Sequence, residues 1–560
     1  MVTARSQAEE LRENREEGTA ARNRELWLLY AGWFFVALGS TLRILAYVAN
    51  PSLSIDESYL ALNLVERSPS ELIGALAFNQ AAPVGFLEAE KLIIAILGRD
   101  EYALRFLPLL LSLVALVFFC GVAQRVLRPS AALVAVVIFA LLDPLVYYSA
   151  TAKQYAFDVI AAVTILTLAL VLEERPLRRR DILALTLLGG LLVWFSHASV
   201  FVLGGVALLL GIRGIGDRDW RRTSALVAMV GVWAASFAVE YLLTRSNLTG
   251  IVGSFETDGG GLLTPGQPGP SVFERATDRL RYLVGLEDTA SGDPILASLP
   301  LYVNRSLTVL ILLIAGAGFI SLLRQRPRLA LLLATPAVLA AIASAGDQYP
   351  LVGRTLLFLL PSVALCIGEG ARVLLALVAR KSLIATVAVA ITASILAIAI
   401  LPAIHVFNPR RTEEMKLALR HLGMHHRSGD TLYVSNQAQY AFAYYHLCSC
   451  SNFDPRAAWP FSTTSDGPDQ RAAAVETRSP RLIIEASPPA PDEVSAVTRP
   501  LIGRSRVWVL FADAPDYQKQ PLLDNLDRHG RRLRQFRAPG PSAVAASLYL
   551  YDLRGRGEVD

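Results

Sequence analysis

Long runs of apolar residues recur along this sequence and restrict its fold more than any other feature. A helix that crosses a bilayer needs about 20 mostly apolar residues. Suitable runs lie at residues 26–48, 104–126, 130–148, 154–172, 182–197, 199–213, 223–244, 302–323, 327–345, 355–379 and 383–404. Charged residues make up only 18% of the chain, against about 25% in soluble domains, and the mean hydropathy is +0.42. The sequence therefore predicts a polytopic membrane protein with about eleven spans.

The basic residues assign a side to each connection between these spans. Fifteen of them lie in alternate short connections, namely Arg125, Arg128, Arg175, Arg178, Arg179, Arg180, Arg213, Arg218, Arg221, Arg222, Arg324, Arg326, Arg328, Arg380 and Lys381. The short connections of the opposite side contain only Lys153 and Arg354. Lys and Arg accumulate in cytoplasmic loops. We therefore expect a cytoplasmic N-terminus, an odd number of spans and an external C-terminus.

This topology divides the chain into three parts. Residues 1–25 are charged, and we expect them to form a cytoplasmic tail. A signal peptide has a shorter basic start, so we expect the first helix to be retained. Residues 26–404 form a transmembrane helical bundle with long external loops at 49–103 and 245–301. Stretches at 59–66, 83–97 and 272–286 are too short or too polar to span, and we expect them along the membrane surface. The net charge of +5 gives no indication of nucleic-acid binding.

Residues 405–560 form the third part, an external α/β domain. Its pattern predicts helices at 411–425, 438–447 and 517–536, and strands at 430–434, 481–485, 506–511 and 546–551. A glycine-rich phosphate-binding sequence follows none of these strands. We expect this domain to serve recognition, or to act as a lid, rather than to hold a second catalytic centre. The predicted fold is thus mainly α, with one external α/β domain.

Ionisable residues at the edges of the apolar runs identify a candidate site, because burying them is costly. Asp56 and Glu57 follow the first span, Lys153 and Asp158 lie where the third span meets the fourth, and His197 and Arg354 occupy later external turns. Each also has an ordinary explanation: solvated acids, an interfacial Lys–Asp pair, a turn histidine, or a positive helix end. The topology nevertheless places Asp56, Lys153, His197 and Arg354 on one side, where they can share a cavity.

The order of these residues resembles the GT-C superfamily of polytopic glycosyltransferases, in the bacterial branch related to protein O-mannosyltransferases and the lipid A aminoarabinose transferase. The resemblance covers about residues 26–450. Its separate motifs, each weak alone but occurring in order, are Arg43, the loop 52–57, residues 80–87, Gly98 with 101–105, residues 147–149 with 153–155 and Asp158, and residues 349–354 with 357–361.

The resemblance implies a reaction and a set of roles. A sugar passes from a polyprenyl-phosphate donor to an acceptor outside the cytoplasm, with inversion at the anomeric carbon. Asp56 would be the base, with Glu57 supporting it or orienting the acceptor. Lys153 and Arg354 would bind the lipid phosphate, and Tyr155 and Gln80 would lie near the sugar, with Asp158 and His197 in the same donor site. The acceptor, whether lipid, glycan or protein, is left open.

One departure and two alternatives accompany this hypothesis. Many relatives have His-Pro-Pro where this chain has Ala81-Ala82-Pro83, so a metal contact through that histidine does not transfer. His197 with Glu88 could replace it, and a divalent metal ion is left open without assigned ligands. A transporter or lipid flippase would also carry polar groups near a bilayer, and a receptor would use the external domain alone. We expect a glycosyltransferase because the ionisable groups gather at one face and no internal repeat is visible.

Overall fold

The computed structural model describes residues 2–173, 178–216, 220–257, 301–351, 353–378, 413–448, 459, 461–463, 475–477, 479–490, 492–540 and 545–555. The protein is mainly α-helical and polytopic, with a small α/β domain at the C-terminal end. Six helices of the described part are long and apolar enough to cross a membrane, or seven if a bent pair counts as one span. The predicted fold class is confirmed.

Among the described residues, the membrane part contains eleven α-helices: α1 (Val2–Ala49), α5 (Glu101–Val126), α6 (Pro129–Leu141), α7 (Asp143–Tyr147), α8 (Tyr155–Glu173), α9 (Arg179–Val193), α10 (Ser199–Gly216), α11 (Trp220–Thr257), α12 (Leu301–Gln325), α13 (Pro327–Ala345) and α14 (Leu360–Val378). A 3-10 helix (Gly353–Leu359) leads into α14. Helices occupy the positions of the first ten predicted spans. The eleventh, at 383–404, lies outside the described residues, as does the predicted stretch at 272–286. Two helices run further than predicted: α1 begins within the predicted tail, and α11 extends past residue 244.

The third predicted span is broken rather than continuous. Helix α6 ends at Leu141 and α7 starts at Asp143, with a bend of 52° between the two segments. Pro144, in the first turn of α7, cannot donate a backbone hydrogen bond to α6. The buried Arg43 side chain of α1 donates to the carbonyl oxygens of Phe139 and Ala140, at 3.1 and 2.7 Å, and so satisfies the freed end of α6.

Glycines allow α12 and α14 to approach closely. A Cβ atom on Gly318 would collide with the carbonyl oxygen of Cys366, and one on Gly370 would collide with that of Ile314. Small residues at such contacts let backbones pack directly in a membrane, where no hydrophobic force draws apolar helices together.

The segment between α1 and α5 forms three short helices, α2 (Ile55–Glu66), α3 (Pro69–Leu72) and α4 (Val84–Leu97). The predicted stretches at 59–66 and 83–97 are therefore helical. Helix α2 is largely buried, because Leu60 and Leu64 share one hydrophobic core with Tyr440 and Trp508 of the C-terminal domain. This contact places the first turn of α2 beneath that domain.

The C-terminal domain contains a five-stranded sheet and four helices among the described residues. Its helices are α15 (Met415–His425), α16 (Ala438–Leu447), α17 (Val494–Thr498) and α18 (Asp516–His529). Its strands are β1 (Thr431–Val434), β4 (Leu482–Ile484), β5 (Val507–Phe511), β6 (Arg531–Arg537) and β7 (Ser547–Asp552), in the order β4-β1-β5-β7-β6; β2 (Phe461–Thr463) and β3 (Val475–Thr477) form a separate pair. Strand β1 is parallel to β4 and β5, whereas β7 is antiparallel to β5 and β6.

One predicted element of this domain is wrong. The sequence pattern predicted a single helix at 517–536, but α18 ends at His529 and β6 follows directly after Gly530. An added Cβ at Gly530 would collide with the carbonyl oxygen of Asp552 on β7. Glycine therefore lets the chain turn tightly against β7 and continue as an edge strand.

Candidate active site

A cavity of about 610 Å³ lies where α2, α8, α10, α11 and the 3-10 helix approach one another. Seven of the eight predicted site residues line it, and they are Asp56, Gln80, Lys153, Tyr155, Asp158, His197 and Arg354. Apolar side chains, including Phe201 and Phe237, line it as well. A mostly apolar cavity of this size with a few converging polar groups is typical of a small-molecule site.

Asp56 and Arg354 form an ion pair inside this cavity, although 298 positions separate them. Asp56 lies in the first turn of α2, and Ser54 and Glu57 cap that helix reciprocally. About a third of each side chain stays accessible from the cavity (35% for Asp56, 34% for Arg354). Burial acts to raise the pKa of Asp56, but the charges of Arg354 and Lys153 outweigh it and lower the pKa to about 2.

Glu57 does not line the cavity, and its carboxylate faces the opposite way. It accepts hydrogen bonds from the Arg105 guanidinium at 3.0–3.1 Å and from the Ala152 backbone N–H at 2.8 Å. Both ionic side chains are almost fully buried. Glu57 thereby joins α2 to α5 and to the loop that carries Lys153, and it supports the position of Asp56 from behind.

Lys153 is held beside Asp56 by a hydrogen bond that its Nζ donates to Gln80 Oε1, at 2.7 Å. Burial lowers the pKa of Lys153 to about 8, although the charge of Asp56 opposes this shift. Gln80 follows Phe78 and Asn79, whose φ angles of 61° and 51° are left-handed. The Phe78 ring packs against Tyr59 and Tyr440, and this packing offsets an unfavourable backbone conformation.

Two further carboxylates belong to this region: Asp158 lines the cavity, and Glu240 lies beside the lining residue His197. Asp158 accepts a hydrogen bond from Ser196 Oγ at 2.6 Å, and His197 Nε2 lies 2.7 Å from Glu240 Oε1. Glu240, not Glu88, is thus the acid beside His197, because α11 passes next to the turn between α9 and α10. Among the described residues, no three His, Cys, Asp or Glu side chains are grouped as a metal site.

Sequence reasoning missed two residues that hold this site together. Arg105 entered only as part of a motif, and Glu240 did not enter at all. Both carry a signal in the sequence, since each is an ionisable residue within an apolar run, at 104–126 and 223–244. Their partners could not be named from sequence, because the pairs are 48 and 43 positions apart.

The chain is similar to two solved proteins. ArnT from Cupriavidus metallidurans in the apo state aligns over 93% of this chain and 98% of its own, with 12% identity and a TM-score of 0.47; its structure bound to undecaprenyl phosphate gives the same coverage and identity and a TM-score of 0.46. The archaeal oligosaccharyltransferase AglB from Archaeoglobus fulgidus, in complex with an inhibitory peptide and a dolichol-phosphate, aligns over 95% of this chain and 75% of its own, with 11% identity and a TM-score of 0.45.

No family model and no curated protein matches the sequence. Both solved proteins belong to the superfamily that the sequence resembles. At these TM-scores the similarity says nothing about what this chain binds, and its function rests on the geometry of the cavity.

Proposed function

We propose that this protein is a glycosyltransferase of a bacterial plasma membrane that moves a sugar from a polyprenyl phosphate to an acceptor outside the cytoplasm. One observation carries the proposal: a single cavity combines a carboxylate, two cations and several groups that bind hydroxyls. A displacement at a sugar phosphate needs each of these, since one group takes the acceptor proton while cations stabilise the departing phosphate. A membrane protein that only binds or transports has no such need for a paired base.

The donor phosphate would bind Lys153 and Arg354. Arg354 offers a planar fork of donors that suits phosphate oxygens, and Lys153 adds a second charge close by. Apolar side chains of α10 and α11, among them Phe201 and Phe237, give the first isoprenoid units a surface in the same cavity. The phosphate and the isoprenoid chain would therefore bind in adjoining parts of the same cavity.

The sugar would lie between the phosphate site and the part of the cavity that Asp158 and His197 line. Asp158 and His197 are fixed there by Ser196 and Glu240, so each presents a defined hydrogen-bonding atom. Gln80 and Tyr155 line the remaining side. Sugar hydroxyls both donate and accept hydrogen bonds, which suits carboxylate, imidazole, amide and phenol groups together.

Asp56 would act as the base, and the donor itself would activate it. Without donor, the ion pair with Arg354 keeps the pKa of Asp56 near 2, which makes it a weak base. An arriving phosphate competes for the guanidinium, and Asp56 becomes more basic as it loses that partner. The acceptor hydroxyl gives its proton to Asp56 while its oxygen attacks the anomeric carbon and the phosphate departs. One displacement of this kind inverts the configuration and needs no covalent intermediate.

Purified protein in lipid nanodiscs tests the proposal directly. The assay offers radiolabelled polyprenyl-phosphate hexoses and pentoses together with a total envelope extract, lipids included, as the source of acceptor. We expect label to pass to the extract, and Asp56→Asn to lower the rate by about 10²–10⁴-fold while donor still binds. Glu88→Gln is the matched control, because Glu88 lies on α4 of the same segment and outside the cavity.

Binding of the labelled donors without turnover by the wild-type protein would contradict the proposal and favour a transporter or receptor. Full activity of Asp56→Asn would remove Asp56 from its role as base.

A further inference from the structure

The C-terminal domain presents one edge of its sheet to the helix that carries Asp56. Strands β1 and β5 are parallel neighbours in which Val434 pairs with Leu510, and the Ser435 N–H donates to the Leu510 carbonyl at 2.9 Å. The loops that follow the two strands therefore leave the sheet at the same edge. In open α/β sheets this carboxyl edge of parallel strands is where functional groups gather.

Direct contacts fix this edge over the first turns of α2. Gln437, in the loop after β1, accepts a hydrogen bond from the Tyr59 hydroxyl at 3.3 Å. Glu413, just before α15, accepts one from the Ile55 backbone N–H at 3.0 Å. Asp56 lies between these two anchored residues of α2, so this part of the domain lies against the turn that carries the candidate base.

Asp513 is the acidic residue in the loop after β5. It is partly buried, and within the described part of the chain its carboxylate has no hydrogen-bond or ion-pair partner. Its φ of 49° is left-handed, a conformation that packing must hold in place. The titratable groups that face it are Asp56 and Tyr59 of α2 and Glu413, and none of these is a cation.

Asp513 has a higher pKa than Asp56. Burial, followed by the charge of Asp56, raises the pKa of Asp513 to about 6. The groups that face Asp56 itself are Arg354, Lys153, Tyr59, Tyr155, Glu413 and Asp513, and the two cations among them keep the pKa of Asp56 near 2. Once the phosphate has left and Arg354 pairs with Asp56 again, a proton on Asp56 is therefore held more strongly by Asp513.

We propose that Asp513 is a positioning residue of the transferase, which receives from Asp56 the proton that the acceptor hydroxyl has lost. This inference rests on the proposed function. The acceptor O–H bond breaks and its proton moves to a carboxylate oxygen of Asp56 and then to Asp513. The acceptor oxygen bonds to the anomeric carbon, and the electron pair of the breaking C–O bond stays on the phosphate. Asp56 is thereby restored as an anion for the next turnover.

The pH dependence of kcat distinguishes a relay from a structural role. Asp513 accepts a proton only when ionised, so the wild-type rate should fall as the pH drops below about 6. Asp513→Asn should lower the rate by about 10- to 100-fold at pH 7.5 and should remove this decline between pH 5 and 7. Two matched variants should keep the wild-type profile: Asp524→Asn, an exposed acid of α18, and Glu413→Gln, which retains its acceptor for the Ile55 N–H.

A spectroscopic measurement follows the proton without any turnover. The infrared difference between wild type and Asp513→Asn should contain the C=O stretching band of a protonated carboxyl group that disappears as the pH rises through about 6. An active wild type with no such band, or an Asp513→Asn variant with the wild-type pH profile, would refute the relay. A wild type that transfers no sugar from any offered donor overturns the proposed function instead, and the relay with it.

Discussion

At the scale of single residues, the proposed function depends on the Arg354 guanidinium, which would bind the donor phosphate as well as Asp56. Arg354 is paired with Asp56, yet about a third of its side chain remains accessible to a ligand in the cavity. A fork of five donors can contact a phosphate as well as a carboxylate, whereas Lys153, which donates one hydrogen bond to Gln80, is not paired directly with Asp56. Under the proposed function, a donor phosphate would therefore change the pKa of Asp56 through Arg354.

Replacing this residue should affect donor binding most. We expect Arg354→Ala to raise the KM for the polyprenyl-phosphate sugar by about 10- to 100-fold, because a charge-assisted hydrogen bond contributes about 1.5–3 kcal/mol. Arg354→Lys should recover part of the loss, since it restores the charge without the fork. Initial rates over a series of donor concentrations measure the effect, with Arg420→Ala, an exposed arginine of α15, as the control. An unchanged donor KM in Arg354→Ala would exclude a phosphate role.

Single residues were also the part of the site that the sequence predicted best. The cost of placing charge beside a bilayer is a local property, so Asp56, Lys153, Asp158, His197 and Arg354 could be selected from apolar runs alone. Their partners could not be, because ion pairing between distant residues depends on how the helices pack. For the same reason, the sequence could not show that the Glu57 carboxylate, next to Asp56 along the chain, points away from the cavity and towards Arg105.

At the scale of elements, the buried pair of Glu57 and Arg105 determines where α2 sits. The two side chains are 4% and 2% exposed, so neither charge has water as a replacement partner. Arg105 also donates to the side chain of Asn50 and the carbonyl oxygen of Pro51, which fixes the end of the first span. One arginine thus holds the chain on both sides of the loop that leads to Asp56.

Removing one partner of this pair should be worse than removing both charges. We expect Arg105→Met to destabilise the protein by about 3–5 kcal/mol, because it leaves a buried carboxylate unpaired. The double variant Glu57→Gln with Arg105→Met should have a higher Tm than Arg105→Met alone, since a neutral amide still accepts from the Ala152 N–H. Thermal unfolding in detergent compares the variants with wild type. A double variant less stable than Arg105→Met would show that the charge of Glu57 is needed for other contacts.

Element boundaries show where sequence patterns stop being informative. Apolar length predicted the positions of the membrane helices, but the 52° break after Leu141 depends on Arg43, which lies almost a hundred residues earlier and binds the freed carbonyl groups. Strand β6 was predicted as helix because its arginines show no apolar alternation. Its strand conformation comes from pairing with β7, a contact that charge patterning does not reveal.

At the scale of the whole molecule, the segment 49–103 and the C-terminal domain form a continuous structure. Besides their shared hydrophobic core, Tyr445 accepts from the Leu53 N–H at 2.9 Å, and Lys416 lies 2.8 Å from Glu101. The sequence predicted separate parts for these residues, since patterns along the chain do not show which distant surfaces meet. The joined structure gives the C-terminal domain direct contacts with the helix that carries Asp56, which a tethered domain would lack.

The arrangement requires this joined region to lie on the side opposite the arginine-rich connections. The bilayer favours arginines on the cytoplasmic side, so the cavity, its base and the C-terminal domain should all face outward.

Cysteines placed at two exposed positions report on this orientation: Asp524→Cys in α18 and Arg179→Cys at the start of α9. Cys120 and Cys366 are buried and Cys448 is in a disulfide, so the parent chain gives the background. We expect a membrane-impermeant maleimide to label Asp524→Cys in intact spheroplasts and Arg179→Cys only after permeabilisation, because the two positions lie on opposite faces. Labelling in the reverse order would place the cavity on the cytoplasmic side and rule out an acceptor outside the cell.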